Sequence, residues 1–459
     1  RYRATAGRII LKEEEDKEKE HAEKAKASIF FVAYVRDDLD DASHRPVTFA
    51  FNGGPGSSSV WLHLGLLGPR RVLMDPRNDS SDARIKPPPP PCRLVDNAQS
   101  LLDVTDLVFI DPVSTGYSRA VAGEKPDQFH DFKKDIESVG DFIRLYTSRF
   151  QRWSSPKYLI GESYGTTRAA GLAGYLQERH GMYLNGIMLV SSILNFQSAR
   201  FDPGNDLPYI LFLPTYTATA WYHKRLPADL QKNLPQTLAR AEAFAEGEYT
   251  LALMKGSALP EEERKEIGQK LARLTGLSSE YIEQTNLRIR DDRFVKELLR
   301  DQRRTVGRLD TRFVGVDLDA AGEQTEFDPS YAAIQGPYTA ALNDYVRTEL
   351  GFESDLPYEI LTELWRSWKY GEHQNQYVNV AETLRGAMTA NPYLQVFVAN
   401  GYFDLATPYF ATRYTFNHLG LDAGLEKNIS MAYYPAGHMM YIHQPSLVQL
   451  KADLARFVD

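Results

Sequence analysis

The chain has 459 residues, 43% of them hydrophobic and 12% aromatic, enough apolar material for one large α/β domain with a substantial insertion or for two domains, and too much for a disordered chain. Its 53 basic and 61 acidic residues leave a net charge of −8, which gives neither nucleic acid nor an anionic membrane surface a reason to bind. No apolar run reaches the roughly 18 residues of a membrane-spanning helix, the single Cys92 rules out an intramolecular disulfide, a zinc knuckle and a CxxC redox site, and a start at Arg1, as after loss of a leader, leaves the compartment open.

From the amino end, Lys12 to Ala27 form a mixed charge run that reads as a solvated loop or frayed helix. Strands are expected at Ile29 to Val35, Val47 to Phe51 and Leu107 to Asp111, with the proline run Lys86 to Cys92 as a stiff surface spacer. Between Asp131 and Phe150 the residues Phe132, Ile136, Val139, Phe142, Ile143 and Tyr146 recur at helical spacing, and a strand follows at Lys157 to Ile160. After another strand at Leu184 to Val190, the chain from about 195 to 392 is mostly helical and charged. Strands return at Leu394 to Ala399 and Ile429 to Tyr434, and Ser446 is the expected cap of a final helix with Leu447, Leu450, Leu454 and Phe457 on one face. Alternating strands and helices imply a mostly parallel central sheet flanked by helices. The catalytic domain is then 1–195 with 391–459, and 196–390 is a mainly helical insertion above the carboxyl ends of the strands, where such sheets bind ligands and where it can serve as a lid.

The sequence Gly161-Glu162-Ser163-Tyr164-Gly165 lies between an expected strand and an expected helix. Glycines permit the sharp turn, and the serine then projects above the sheet as a nucleophile; the alternative is an ordinary turn serine. A serine nucleophile needs a base and an orienting acid, which in α/β-hydrolase order follow as acid and then histidine. Asp404 and His438 each lie just beyond a C-terminal strand. Asp404 has a second reading as the cap of a helix starting near Pro408. His443 reads as a loop histidine, and a metal site of His438 with His443 lacks a third ligand. The developing oxyanion needs fixed N–H donors, and the loop Asn52-Gly53-Gly54-Pro55-Gly56 after a strand supplies them; the backbone amides of Gly54 and Tyr164 are the choice. A phosphate cradle would need a Lys-Ser/Thr pair that "GPGSSS" lacks.

With these residues assembled, the chain resembles the serine carboxypeptidase family of α/β-hydrolases, and most its bacterial, cysteine-poor members. The resemblance rests on "FNGGPGSSSVWLHLGLLGPRR", "LVFIDPVSTGYSR", "IGESYG", "VANGYFDLATP" and "PAGHMMYIHQP", in the family's order. It implies an α/β-hydrolase fold, no cofactor or metal, peptide substrates with a free C-terminus, and a periplasmic or secreted location. It also implies that Asn52, Gly53 and Glu162 hold the substrate's terminal carboxylate. A second glutamate usual before Leu-Gly-Pro is here Leu66, and Arg71 or Arg70 is a candidate replacement as a fork to carboxylate. Ser57 stands where relatives often have a half-cystine. The expected activity is serine-type removal of C-terminal residues; an acyltransferase on the same triad, an aminopeptidase with a similar glycine loop and a non-catalytic binding protein on the same fold are the rivals.

Overall fold

The computed structural model describes residues 1–14, 23–37, 42–74 and 86–459. Thirteen strands are described: β1 (Tyr2–Glu14), β2 (Glu23–Arg36), β3 (Val47–Phe51), β4 (Arg70–Val72), β5 (Leu94–Asp96), β6 (Asp106–Ile110), β7 (Arg119–Ala120), β8 (Lys157–Glu162), β9 (Gly186–Val190), β10 (Thr305–Val306), β11 (Val314–Gly315), β12 (Gln395–Gly401) and β13 (Ile429–Tyr434). Nine form one sheet in the order β1-β2-β6-β3-β8-β9-β12-β13, with β7 beside β2; β4 with β5 and β10 with β11 make two small ribbons. From β6 to β13 the neighbours run parallel, and β1, β2 and β7 are antiparallel additions at one edge. The central strands β3, β6, β8 and β9 are buried along their whole length. Burial on both faces explains why they read as continuous apolar runs and not as alternations.

Two apolar layers cover the sheet. One packs the helices Phe132–Arg149, Tyr164–His180 and Ala381–Ala390 on Phe31, Phe49, Leu159 and Val398. The other packs the segment Val60 to Leu67 with the helices Pro329–Thr348 and Gln444–Val458 on Phe109, Ile160 and Phe397. Helices between Leu207 and Glu297 have a third core of their own, which takes in Phe403, Leu405 and Tyr409 from the segment after β12. Two helices that the sequence reading placed within the inserted stretch, Pro329–Thr348 and Ala381–Ala390, thus pack on the sheet itself.

Several local expectations meet their structure here. The helix at Phe132–Arg149 starts where the Asp131 carboxylate accepts from the amides of Lys133 and Lys134, satisfying donors that no helical carbonyl reaches. The ends of the charge run are strand: Lys12 and Glu13 lie in β1, Glu23 to Ala27 in β2, and Lys12 pairs with Glu23 across the hairpin at 2.7 Å. The rest of that run, 15–22, lies outside the described residues. The last helix begins at Gln444, with His443 at its N-cap position and Ser446 inside the first turn, so Ser446 is not the cap; its hydroxyl is 2.7 Å from His443 Nδ1.

The register brings the carboxyl ends of five strands to one edge. Phe51 pairs with Gly161, Glu162 with Val190, Val190 with Ala399, and Gly401 with Tyr434. Every loop that carries a candidate residue leaves the sheet there.

Candidate active site

Ser163 turns directly out of β8 into the helix Tyr164–His180, with φ 60° and ψ −128°. A side chain at positive φ costs on the order of 1–3 kcal/mol and persists only where the surroundings enforce it. Here Ser163 N–H donates to Val190 O at 3.0 Å and Thr166 N–H to Ser163 O at 2.8 Å. The flanking glycines are obligatory, since a Cβ at Gly161 would stand 2.1 Å from Gly165 O and one at Gly165 would stand 2.8 Å from Phe51 O.

His438 and Asp404 meet from adjacent strand ends, with Nδ1 2.7 Å from Asp404 Oδ2, and the two are 4% and 0% exposed. That contact makes Nδ1–H the donor and leaves Nε2 as the ring's acceptor. Asp404 Oδ1 accepts from the amides of Ala406 and Thr407, and Oδ2 also accepts from the Thr407 hydroxyl at 2.7 Å. Four donors thus hold one buried carboxylate. The next helix, Tyr409–Asn417, has Pro408 at its N-cap, so Asp404 is not its cap. Burial works to lower the His438 pKa, but the charge and hydrogen bond of Asp404, with the charge of Glu162, outweigh it and raise the imidazole above its ordinary value; Arg308 opposes them.

Ser163 and His438 line a cavity of about 490 Å³ together with Asn52, Gly53, Gly54, Glu162 and Tyr164. Its wall is largely apolar, with Trp61, Ile193, Phe196, Leu309, Tyr331, Ile334, Leu361 and Trp365. Asn52 is fixed on both sides: its side-chain oxygen accepts from Leu62 N–H at 3.1 Å, which turns the amide NH₂ toward Glu162, and its carbonyl accepts from Arg168 at 2.5 Å. Arg168 is itself buried and paired with Asp135 at 2.8 Å. Glu162 is 3% exposed. Burial pushes its carboxyl up to about 7, against the lowering effects of the His438 charge and of hydrogen bonds from Tyr441 and Asn52.

Tyr441 is the residue that sequence reasoning missed. Its hydroxyl donates to Glu162 Oε2 at 2.6 Å, and burial and the Glu162 charge push the phenol well above its ordinary range, so it stays a donor. Leu66 is buried in the apolar layer and offers no acid to Glu162; a tyrosine stands as partner instead. Arg70 and Arg71 are not among the cavity's lining residues. Arg70 is tied to Asp96 and Glu349, and the Arg71 backbone pairs with Val95 in the β4–β5 ribbon. The arginines that do line the cavity are Arg200 and Arg308. Ser57, also on the wall, accepts from Trp61 Nε1 at 2.9 Å. Among the described residues no group of three or more His, Cys, Asp or Glu side chains is placed to hold a metal ion, and no helix is long and apolar enough to cross a membrane.

The family model described as serine carboxypeptidase matches residues 20–442. The pheromone-processing carboxypeptidase KEX1 of Saccharomyces cerevisiae is 32% identical over 168 residues, 35% of this chain and 20% of that protein. Its namesake in Yarrowia lipolytica is 27% identical over 210 residues, 43% of this chain and 29% of that one. The match therefore spans only about a fifth to under a third of those relatives. In three dimensions, the crystal structure of the prohormone-processing carboxypeptidase Kex1(delta)p from Saccharomyces cerevisiae superposes with a TM-score of 0.59 at 15% identity, covering 99% of this chain and 90% of that one. At that identity the likeness establishes the fold, which is that of the α/β-hydrolases.

Proposed function

The chain belongs to the serine carboxypeptidase family, and from that premise we propose that it is a serine-type carboxypeptidase, removing C-terminal residues from peptides through an acyl-enzyme on Ser163. The observation that carries the reading is the 2.7 Å contact between His438 and Asp404 at the wall of a cavity that also holds Ser163 and the Asn52–Glu162 pair. A nucleophile, an oriented base and a carboxylate-recognising pair within one cavity are what cleavage at a free C-terminus requires.

In this mechanism Ser163 Oγ attacks the carbonyl of the penultimate residue while His438 Nε2 takes its proton. The carbonyl oxygen becomes an oxyanion facing the amides of Gly54 and Tyr164. The C–N bond then breaks, the imidazolium returns its proton to the leaving amine, and the terminal amino acid departs. Water, deprotonated by the same imidazole, releases the acyl group from Ser163. Asp404 stays ionised and stabilises the imidazolium throughout.

The substrate's terminal carboxylate lies against Asn52, the Gly53 backbone and Glu162. Two ionised carboxylates in contact repel, so Glu162 binds it as the neutral acid, donating from Oε1 while Oε2 keeps the Tyr441 bond. A carboxyl held near 7 is mostly neutral below that pH. No arginine is needed at this end.

Labelling with a fluorophosphonate, followed by peptide mapping, tests the nucleophile. The label is expected on Ser163 and is lost in Ser163→Ala and His438→Ala; a label elsewhere, or none, rejects the assignment.

A further inference from the structure

The segment Arg308 to Arg312 belongs to the inserted stretch, yet it is wedged between the two loops that carry Asp404 and His438. On one side Arg308 O accepts from Leu405 N–H at 3.1 Å and Thr311 N–H donates to Phe403 O at 3.0 Å. On the other, Leu309 O accepts from the N–H of His438 itself at 2.7 Å, Asp310 Oδ2 accepts from Gly437 N–H at 3.2 Å, and Arg312 Nη1 donates to Pro435 O at 3.2 Å. Asp310 and Arg312 are in turn locked to each other, Nη2 to Oδ2 at 2.7 Å and Nε to Oδ1 at 2.9 Å, with both side chains buried. The Arg312 guanidinium also lies 5.6 Å from the Phe403 ring centroid.

The fit leaves no slack. A Cβ at Gly437 would stand 2.4 Å from Asp310 Cβ, so any residue but glycine before the histidine would push the two apart. Behind the wedge, the Thr311 hydroxyl is 2.7 Å from that of Thr219, and Thr311 O is 2.7 Å from His223 Nε2. These anchor the segment to the helix Leu207–Tyr222 of the inserted core.

We propose that Asp310 and Arg312 are positioning residues for the Asp404–His438 pair: their buried ion pair braces the inserted segment that fixes the spacing of the two loops, and through it the imidazole. Neither side chain is among the residues lining the cavity. The role in turnover rests on the carboxypeptidase reading, so the test needs a readout that does not. Fluorophosphonate labelling of Ser163 serves, because it depends on His438 as base whatever the natural substrate is.

The variant is Asp310→Leu with Arg312→Met, which removes both charges together and strands neither in the interior. Folding is checked by circular dichroism and thermal midpoint, and Arg312→Lys is made alongside, keeping the charge at Asp310 but losing the reach to Pro435. In the folded double variant the labelling rate constant, and kcat on an N-blocked peptide, are expected to fall about 100-fold, the scale of a displacement of about 1 Å at a reacting group. KM is expected to stay within about threefold, because Asn52, just after β3, and Glu162, at the end of β8, are held by Leu62, Arg168 and Tyr441 and not by the wedge. The acid limb of the labelling profile is expected to move down, since the charges facing His438 are Asp404, Glu162 and Arg308, and loosening the Asp404 contact removes the strongest support of the imidazolium. Arg312→Lys is expected to lower the rate by about three- to tenfold. A folded double variant with unchanged labelling rate and acid limb overturns the proposal. If the double variant does not fold, Arg312→Lys decides: kcat lowered at constant KM supports the proposal, and an unaltered kcat, or one that falls only with the folded fraction, overturns it. An unmutated protein that labels at Ser163 but cleaves no peptide would reject the carboxypeptidase reading and leave this inference to the labelling data.

Discussion

Replacing Tyr441 by Phe removes the hydroxyl that donates to Glu162 Oε2 at 2.6 Å while keeping the ring in its packed position. A hydrogen bond to an ionised carboxylate is worth roughly 1.5–3 kcal/mol, and one to the neutral acid roughly 0.5–1.5. The difference, about 1–1.5 kcal/mol, is what Tyr441 contributes to holding the Glu162 pKa down, and at 1.36 kcal/mol per unit it amounts to roughly one pKa unit. Glu162 is held at about 7 in the folded protein, so Tyr441→Phe should carry it to about 8. The sign for substrate binding follows. Neutral Glu162 donates to the terminal carboxylate, so acid-terminated peptides bind best below its pKa and lose affinity as pH rises through it. The assay is kcat/KM between about pH 5 and 9 for an N-blocked dipeptide ending in a free acid and for its C-terminal amide; this ratio reports the free enzyme's groups. For the acid, the alkaline fall should move up by about one unit in Tyr441→Phe; for the amide, no such fall is expected in either protein. An alkaline limb that stays put or moves down would refute Tyr441 as the partner of a titrating Glu162.

Glu162→Gln donates a hydrogen bond at any pH, so it should abolish the alkaline fall for the acid-terminated peptide and leave the acid limb set by His438, whose pKa Asp404 and Glu162 raise; that limb should then drop slightly, as seen in the same pH series. Arg70→Ala and Arg71→Ala, at positions outside the cavity, should leave KM within about twofold, a difference too small to carry carboxylate binding. Asp404→Asn should lower kcat by about 10⁴, the scale of losing the imidazole's orienting charge, measured by stopped assays at matched folded fraction. Ser163→Gly should be inactive yet more stable by about 1 kcal/mol in urea denaturation, because glycine accepts the φ of 60° without strain.

The sharp strand-to-helix turn at Ser163 was legible because its signal is local: Gly161 and Gly165 are forced by backbone approaches of 2.1 and 2.8 Å, and an apolar strand and a helix adjoin them. Asp404 and His438 could be read from their places just past two apolar runs, since parallel strands deliver their loops to one edge. Tyr441 could not, because its meeting with Glu162, 279 positions away in sequence, depends on the turn after His438 folding back over β8. The segment at 308–312 is equally silent: part of its hold on the two loops is through backbone groups that any residue carries, and nothing in the sequence shows that Asp310 and Arg312 meet Gly437 and Pro435, more than 120 positions away. The opening hairpin misled for another reason: Lys12–Glu23 and Lys26–Glu13 are cross-strand pairs, and on an exposed edge such charges look like a solvated loop or frayed helix. Arg71 shows the limit of closeness in sequence: its backbone pairs with Val95 in the small β4–β5 ribbon, and it is not among the residues lining the cavity.

The central claim is cleavage at a free C-terminus by Ser163, and mass spectrometry of products from N-acetylated peptides tests it most directly. The account predicts stepwise loss of C-terminal residues from acid-ended peptides, markedly slower loss from their amides at about pH 6, where Glu162 is neutral, and none with Ser163→Ala. Internal fragments, removal from the amino end of unblocked controls alone, or product formation that survives Ser163→Ala would contradict it.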